Sequence, residues 1–263
     1  MARANRHYLP GNHIWHITHR CHKREFLLKF ARDRRTWLKW LFEAKKRYGL
    51  CVLNYMVTSN HIHLLLEDKG EGIIPRSIQL IAGRTAQNYN RRKKRKGAFW
   101  EDRYQATAVQ ADSHFVQCML YIDLITVRAG VVGHPSEWYF CGYNEIQSPP
   151  QRYSIIDRNR LMELVGIGVG DEVSETYRGW VDEILMSGET VRESKWTECV
   201  AWGNKQFIGT VREELGRRAS GRDIIESGAS HELREPGVSY NYDFGVKNGT
   251  LSPENTYFWD FYI

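Results

Sequence analysis

Cys51-Val52-Leu53-Asn54-Tyr55-Met56-Val57, then Thr58-Ser59-Asn60, then His61-Ile62-His63-Leu64-Leu65-Leu66-Glu67 is the stretch that decides the architecture. Two apolar, β-prone runs flank three residues of turn chemistry, which is the pattern of a β-hairpin. On its N-terminal side, His13-Ile14-Trp15-His16-Ile17-Thr18 reads as a strand. Arg32 to Tyr48 then spaces Trp37, Leu41, Ala44 and Tyr48 at helical intervals, with Gly49 to close the helix. On the C-terminal side, Pro75 at a first helical position opens a segment with Ile74, Ile78, Ile81, Thr85 and Tyr89 on one face, running into a basic loop at Arg91. Gln105 to Gln110 alternates like a strand, and Asp112-Ser113 caps a helix that reaches about Leu124.

The order β-α-β-β-α-β is that of a ferredoxin-like split βαβ sheet, an α+β class with two helices covering one face. Right-handed crossovers put the first and third strands in the middle and leave the other face open to a ligand. The helix after the fourth strand is additional. Ser148-Pro149-Pro150 marks a linker, followed by helical segments near Asp157 to Val165, Asp171 to Met186 and Asn204 to Leu215. The expected organisation is therefore a first domain over residues 1–147, a small helical C-terminal domain over 151–223, and an extended aromatic tail over 224–263. No internal repeat is present.

Composition narrows the class. With 263 residues, 42% apolar and 26% charged, disordered, collagenous and disulfide-scaffold chains are excluded. No apolar run approaches the roughly 18 residues that cross a bilayer, so no membrane is expected. Met1 to Arg6 is basic but leads into no apolar segment and is not a secretory signal. Cys21, Cys51, Cys118, Cys141 and Cys199 form no C-x-x-C pair, which fits reduced thiols in a cytoplasmic protein. The net charge of +6 conceals an asymmetry: residues 1–134 carry 24 Lys/Arg against 10 Asp/Glu, and residues 135–263 carry 13 against 21. A basic half beside an acidic one points to a polyanionic partner for the first, nucleic acid above all.

His61 and His63 lie on a predicted central strand, where period two sends both imidazoles to one face. Such a pair can hold one divalent cation or serve a structural role. His13, His16, His19 and His22 look like a second cluster, but their spacing alternates faces along a strand. Arg91-Arg92-Lys93-Lys94-Arg95-Lys96, with Phe99, Trp100 and Arg103 close behind, combines phosphate neutralisation with base stacking. Gly166-Ile167-Gly168-Val169-Gly170 lacks the Gly-Lys-Ser/Thr ending of a phosphate loop and reads as an ordinary loop. Tyr121, with Gln117 and Ile125 a turn to either side, is a packing residue or a nucleophile.

Three strings decide between these readings: Thr58 to Leu66; Ala98-Phe99-Trp100-Glu101-Asp102-Arg103-Tyr104; and Tyr121-Ile122-Asp123-Leu124-Ile125-Thr126-Val127-Arg128-Ala129-Gly130. In order and spacing over about residues 7–145 they resemble the REP-associated tyrosine transposases. These belong to the HUH single-strand transposases, relatives of the small transposases of insertion sequences. Ser252 to Trp259 also resembles longer members of that group.

The resemblance implies a metal-dependent strand transferase acting on hairpin-forming single-stranded DNA, as a monomer or a homodimer. His61 and His63 would hold Mg²⁺ or Mn²⁺, and Tyr121 would attack a phosphate to leave a 5′-phosphotyrosine and a free 3′-hydroxyl. Arg91, Arg92, Lys93, Lys94, Arg95, Lys96, Trp100 and Arg103 would contact DNA. Bond energy kept in the phosphotyrosine removes the need for ATP, in keeping with the missing phosphate loop. The family usually carries an amide four residues after the tyrosine; here that position is Ile125, and Gln117 is the substitute on the same helix. The alternative is an inactive or domesticated nucleic-acid-binding protein that uses the same sheet. A barrel-type metal hydrolase with an H-x-H pair is set aside, because no repeating strand-helix pattern accompanies His114, His134 and His231.

Overall fold

The computed structural model describes residues 13–166, 172–188, 196, 199–228 and 230–234. The β-prone runs and periodic segments fold in chain order as β1 (Ile14–Arg20), α1 (Ala31–Tyr48), β2 (Cys51–Val57), β3 (His61–Glu67), α2 (Ile73–Arg92), β4 (Gln105–Val109) and α3 (Ser113–Asp123). Local chemistry sets several of the boundaries. Gly49 takes the left-handed conformation at φ 69° and its N–H donates to Lys45 O, which ends α1. The Thr58 hydroxyl lies 3.0 Å from both the N–H and the carbonyl of His61, closing the β2-β3 turn. Asp112 accepts from the His114 N–H at 2.8 Å to start α3. One boundary differs from expectation: α2 continues through Arg92, so the first two cations of the basic run are helical and only the rest form a loop.

Pairing among these strands is antiparallel throughout, in the order β2-β3-β1-β4, with β1 and β3 inside. All of β3 after His61 is buried. That explains its Leu64-Leu65-Leu66 run, because a strand covered on both faces has no reason to alternate. Helices α1 and α2 pack against each other. Trp100 donates to the Ala82 carbonyl of α2 and stacks on His19, placing that helical layer on the His19 face of β1. The opposite face carries His16 and His63 and meets Tyr121 of α3. The expected open face is thus covered. Its covering helix was recognised from its own periodicity, but that periodicity says nothing about which sheet face it will lie on.

The second half departs further from expectation. Helices α4 (Ile125–Arg128), α5 (Gly142–Gln147), α6 (Arg158–Val165), α7 (Glu172–Ser187) and α8 (Lys205–Leu215) are joined by strands β5 (Cys199–Gly203), β6 (Asp223–Ser227) and β7 (Ser230–Arg234). β5 runs parallel to β4, with Ala201 opposite Ala108 and Trp202 opposite Val109, and β7 and β6 follow antiparallel. A seven-stranded sheet, β2-β3-β1-β4-β5-β7-β6, therefore replaces a purely helical C-terminal part. The reason for the misreading is physical: Cys199 to Gly203 is buried at every position and has no periodicity to separate strand from helix.

Polar ties also join the halves. Arg160 of α6 grips Glu67 of β3 through Nε and a terminal nitrogen at 2.6 to 3.0 Å. Lys45 donates to the carbonyls of Ser154, Ile155 and Ile156. All five cysteines are buried free thiols, and no helix among the described residues is long and apolar enough to cross a membrane. The α+β class is as expected. Residues 235–263, which hold the aromatics of the expected tail, and Ile167 to Gly170 lie outside the described residues; Gly166 is the left-handed cap of α6.

Candidate active site

Period two on β3 directs His61 and His63 to the same side, and the β1-β3 register sets Thr18 opposite His63 and His16 opposite Leu65. His16 consequently reaches His63 on the diagonal. Their rings lie edge to edge, centroids 5.3 Å apart with 16° between planes, and His16 Nε2 is 3.1 Å from His63 Nδ1. The third apolar turn of α3 lowers Tyr121 onto this pair, with ring centroids 6.0 Å from His16 and 6.4 Å from His63. His61 stands 6.4 Å from His63, half-buried, and its Nδ1–H donates to the Asn60 side-chain oxygen at 2.8 Å.

Two further groups hold the tyrosine. Trp196 stacks on it at 5.2 Å and 29°, and the Trp196 carbonyl accepts from His16 Nδ1 at 2.9 Å. Arg128, seven residues along, lays its guanidinium 4.2 Å from the centre of the Tyr121 ring and donates to the Tyr121 carbonyl at 2.6 Å. Tyr121 keeps 8% of its surface exposed, His63 6%, His16 1% and Trp196 1%, so the centre is nearly dry.

Burial controls the charge state here. It pushes the His16 imidazole down to about 4, against a smaller upward effect from the Trp196 carbonyl. It also holds His63 well below the ordinary histidine range, helped by neighbouring His16, His61 and Arg128. Both rings are neutral at physiological pH, the form in which imidazole ligates a metal. Two imidazoles on one strand face fit part of a divalent cation's coordination sphere. Among the described residues no group of three His, Cys, Asp or Glu side chains could complete it, so the remaining ligands would be oxygens from water or substrate.

Two residues after Tyr121, α3 carries a buried acid. Asp123 accepts from the Tyr177 hydroxyl of α7 at 2.5 Å. Burial raises its carboxyl to about 7 against the lowering effects of Tyr177, Asn54 and the Tyr143 backbone. The pair links the helix that carries Tyr121 to the second half of the chain.

Other predicted residues fall elsewhere. Gln117 is exposed and lines a groove with Val116, Leu120, Leu164, Trp180 and Ile184, apart from the histidine-tyrosine ring cluster. Ile125 is half-buried against the core and opens α4, after a break in regular helix at Leu124. Trp100 has one face on His19 at 4.1 Å, which takes that face away from a nucleobase. In the basic run, Arg92 pairs with Asp33 and Arg95 with Glu25, while Arg91, Lys93, Lys94 and Lys96 are exposed, as is Arg103. The segment after the run ends beside the first turn of the site: Glu101 N–H donates to the carbonyl of Arg20, the residue paired with His61.

Sequence reasoning missed His16, Trp196 and Arg128. His16 was legible only if separated from the misleading spacing of threes, and Arg128 from its position two turns beyond Tyr121. Trp196 leaves no signal in the sequence.

Comparison with known proteins places part of the chain. Residues 11–123 match the family described as Transposase IS200 like, which bears out the resemblance to the small transposases of insertion sequences. A structure of a REP-associated tyrosine transposase bound to a REP hairpin aligns with a TM-score of 0.46 and 18% identity, covering 57% of this chain and 87% of that one. A candidate transposase from Deinococcus radiodurans R1 aligns at 0.33 and 17%, covering 41% of this chain and 87% of that one. No curated protein matches.

Proposed function

We propose that the chain, whose residues 11–123 match the IS200-like transposase family, is a single-tyrosine DNA strand transferase of the HUH type, acting on hairpin-forming single-stranded DNA. The convergence of Tyr121 with His63 and His16 at 6.0 to 6.4 Å carries this reading. Tyr121 Oη attacks the scissile phosphorus, the P–O3′ bond breaks, and the 3′ oxygen leaves as a hydroxyl with the proton that the phenol gives up. A 5′-phosphotyrosine remains, and attack by a second 3′-hydroxyl reverses the step and rejoins DNA without ATP. His61 and His63 would hold Mg²⁺ or Mn²⁺, which when bound would supply polarisation of the phosphate and stabilisation of the leaving oxygen. Exposed Arg91, Lys93, Lys94, Lys96 and Arg103 bind the phosphate backbone.

The test is incubation of the full chain with a 5′-extended, labelled hairpin oligonucleotide and Mn²⁺, followed by denaturing electrophoresis. A covalent adduct is expected with the native chain and none with Tyr121→Phe, while hairpin binding is retained. An adduct in the Phe variant would assign the nucleophile elsewhere. A second reading, a binding protein without strand cleavage, draws on the burial of Tyr121 beneath Trp196 and on Ile125 in the position of the family's amide. Hairpin binding with no adduct under any metal favours it.

A further inference from the structure

We infer that His16 is a positioning residue that fixes His63 as its Nδ1–H tautomer, so that Nε2 is the lone-pair nitrogen of His63. The argument begins at the Trp196 carbonyl, 2.9 Å from His16 Nδ1. A carbonyl only accepts, so the proton lies on His16 Nδ1. His16 is 1% exposed, and among the described residues the rings beside it, His63, Tyr121 and Trp196, include no acid to balance a second proton. A charged imidazole without a counterion is costly at such a position, so the ring is neutral and its Nε2 is bare. One proton is then needed in the 3.1 Å contact between His16 Nε2 and His63 Nδ1, and it comes from His63.

Both nitrogens of His16 are thereby engaged, which excludes it as a ligand and explains a fully buried histidine beside the H-x-H pair. The two rings, inclined by only 16° and joined edge to edge at 3.1 Å, hold the His63 plane as well as its proton. A ring whose other nitrogen is anchored presents its free lone pair in a set direction, and loss of such an anchor typically lowers metal affinity about 10- to 100-fold. The anchor originates in the backbone of residue 196, in the acidic half of the chain, and reaches His63 through a single imidazole.

The tautomer follows from the hydrogen bonds together with the burial that keeps His16 neutral, whereas its effect on cation affinity rests on the proposed function. The experiment separates the two. Histidine ¹⁵N spectra of the full, metal-free chain at neutral pH should show His63 protonated at Nδ1. His16→Phe, which removes both bonds, should move that proton to Nε2. His16→Gln should keep it, because its amide can still donate to the Trp196 carbonyl and accept from His63. In Mn²⁺ titrations the Phe variant should bind about 10- to 100-fold more weakly and the Gln variant close to the native chain. Nε2 protonation of His63 in the native chain, or an unaltered tautomer in a folded Phe variant, overturns the inference. Should the Phe variant not fold, the native spectrum and the Gln variant decide it. A native Nδ1–H tautomer with no Mn²⁺ binding upholds the role of His16 and removes the cation from the proposed mechanism.

Discussion

The indole of Trp196 lies across the phenol of Tyr121, centroids 5.2 Å apart and planes inclined by 29°. The indole also packs edge-on against Trp202 of β5 at 4.3 Å. Only 8% of the Tyr121 surface stays exposed in this enclosure. On the proposed mechanism, a phosphate would gain access to Tyr121 by displacing the indole.

Trp196→Ala should speed formation of the covalent complex. A stacked aromatic pair is worth about 0.5 to 1.5 kcal/mol beyond its buried area, which corresponds to a gain of roughly 2- to 12-fold. The same change should lower the melting temperature, since a large buried side chain is lost. Equal adduct rates for the two proteins would show that the indole does not limit access.

Ile125→Asn tests the absent amide. Regular helix breaks at Leu124 between the tyrosine and this position, and Ile125 packs against the core. Introducing an amide there should raise Mn²⁺ affinity by about tenfold and increase strand cleavage. Titration of both forms with the same oligonucleotide is the check, and unchanged cleavage would separate residue 125 from the site.

Asp123 makes stability depend on pH. Its carboxyl stands at about 7 in the folded chain against 3.8 for an unperturbed one. The folded state thus holds the proton more tightly, and this group's contribution is full below about pH 4 and is lost as pH rises through 7. Asp123→Asn stays neutral and can still accept from Tyr177. It should flatten the fall in denaturation midpoint between pH 5 and 8, an effect on the order of a few kcal/mol at the alkaline end. A parallel pH profile in the variant would contradict the assignment.

The basic run divides by environment. Arg92 and Arg95 are tied to Asp33 and Glu25, whereas Lys93, Lys94 and Lys96 are exposed. Replacing those three lysines by alanine should weaken hairpin binding and lower the slope of log affinity against log salt by about 2, at roughly 0.7 per single-strand phosphate contact. Binding measured over a range of NaCl concentrations gives the slope directly.

Much of the first half was legible because its signals are local. Gly49, the Thr58-Ser59-Asn60 turn and Asp112 punctuate elements whose periodicity already differs, and period two alone sets His61 and His63 side by side. What failed were relationships between segments distant in the chain. Nothing local in Cys199 to Gly203 announces a parallel partner at Ala108 and Val109. Nothing near Trp196 announces Tyr121, and His16 joins the site only through the register of β1 on β3. The open face expected from helix count was lost for the same reason, since α3 packs on it by tertiary contact.

The parallel seam between β4 and β5 has a consequence for how the chain comes to be made. During synthesis β4 emerges long before Ala201 and Trp202, its partners across that seam. Until they arrive the nascent sheet carries an unpaired margin of backbone N–H and C=O groups, a template for self-association. A fragment ended near residue 147 would keep that margin permanently and would also lack the indole that roofs Tyr121. Its expected fate is edge-to-edge aggregation, which in the full chain the pairing of β5 with β4 opposes.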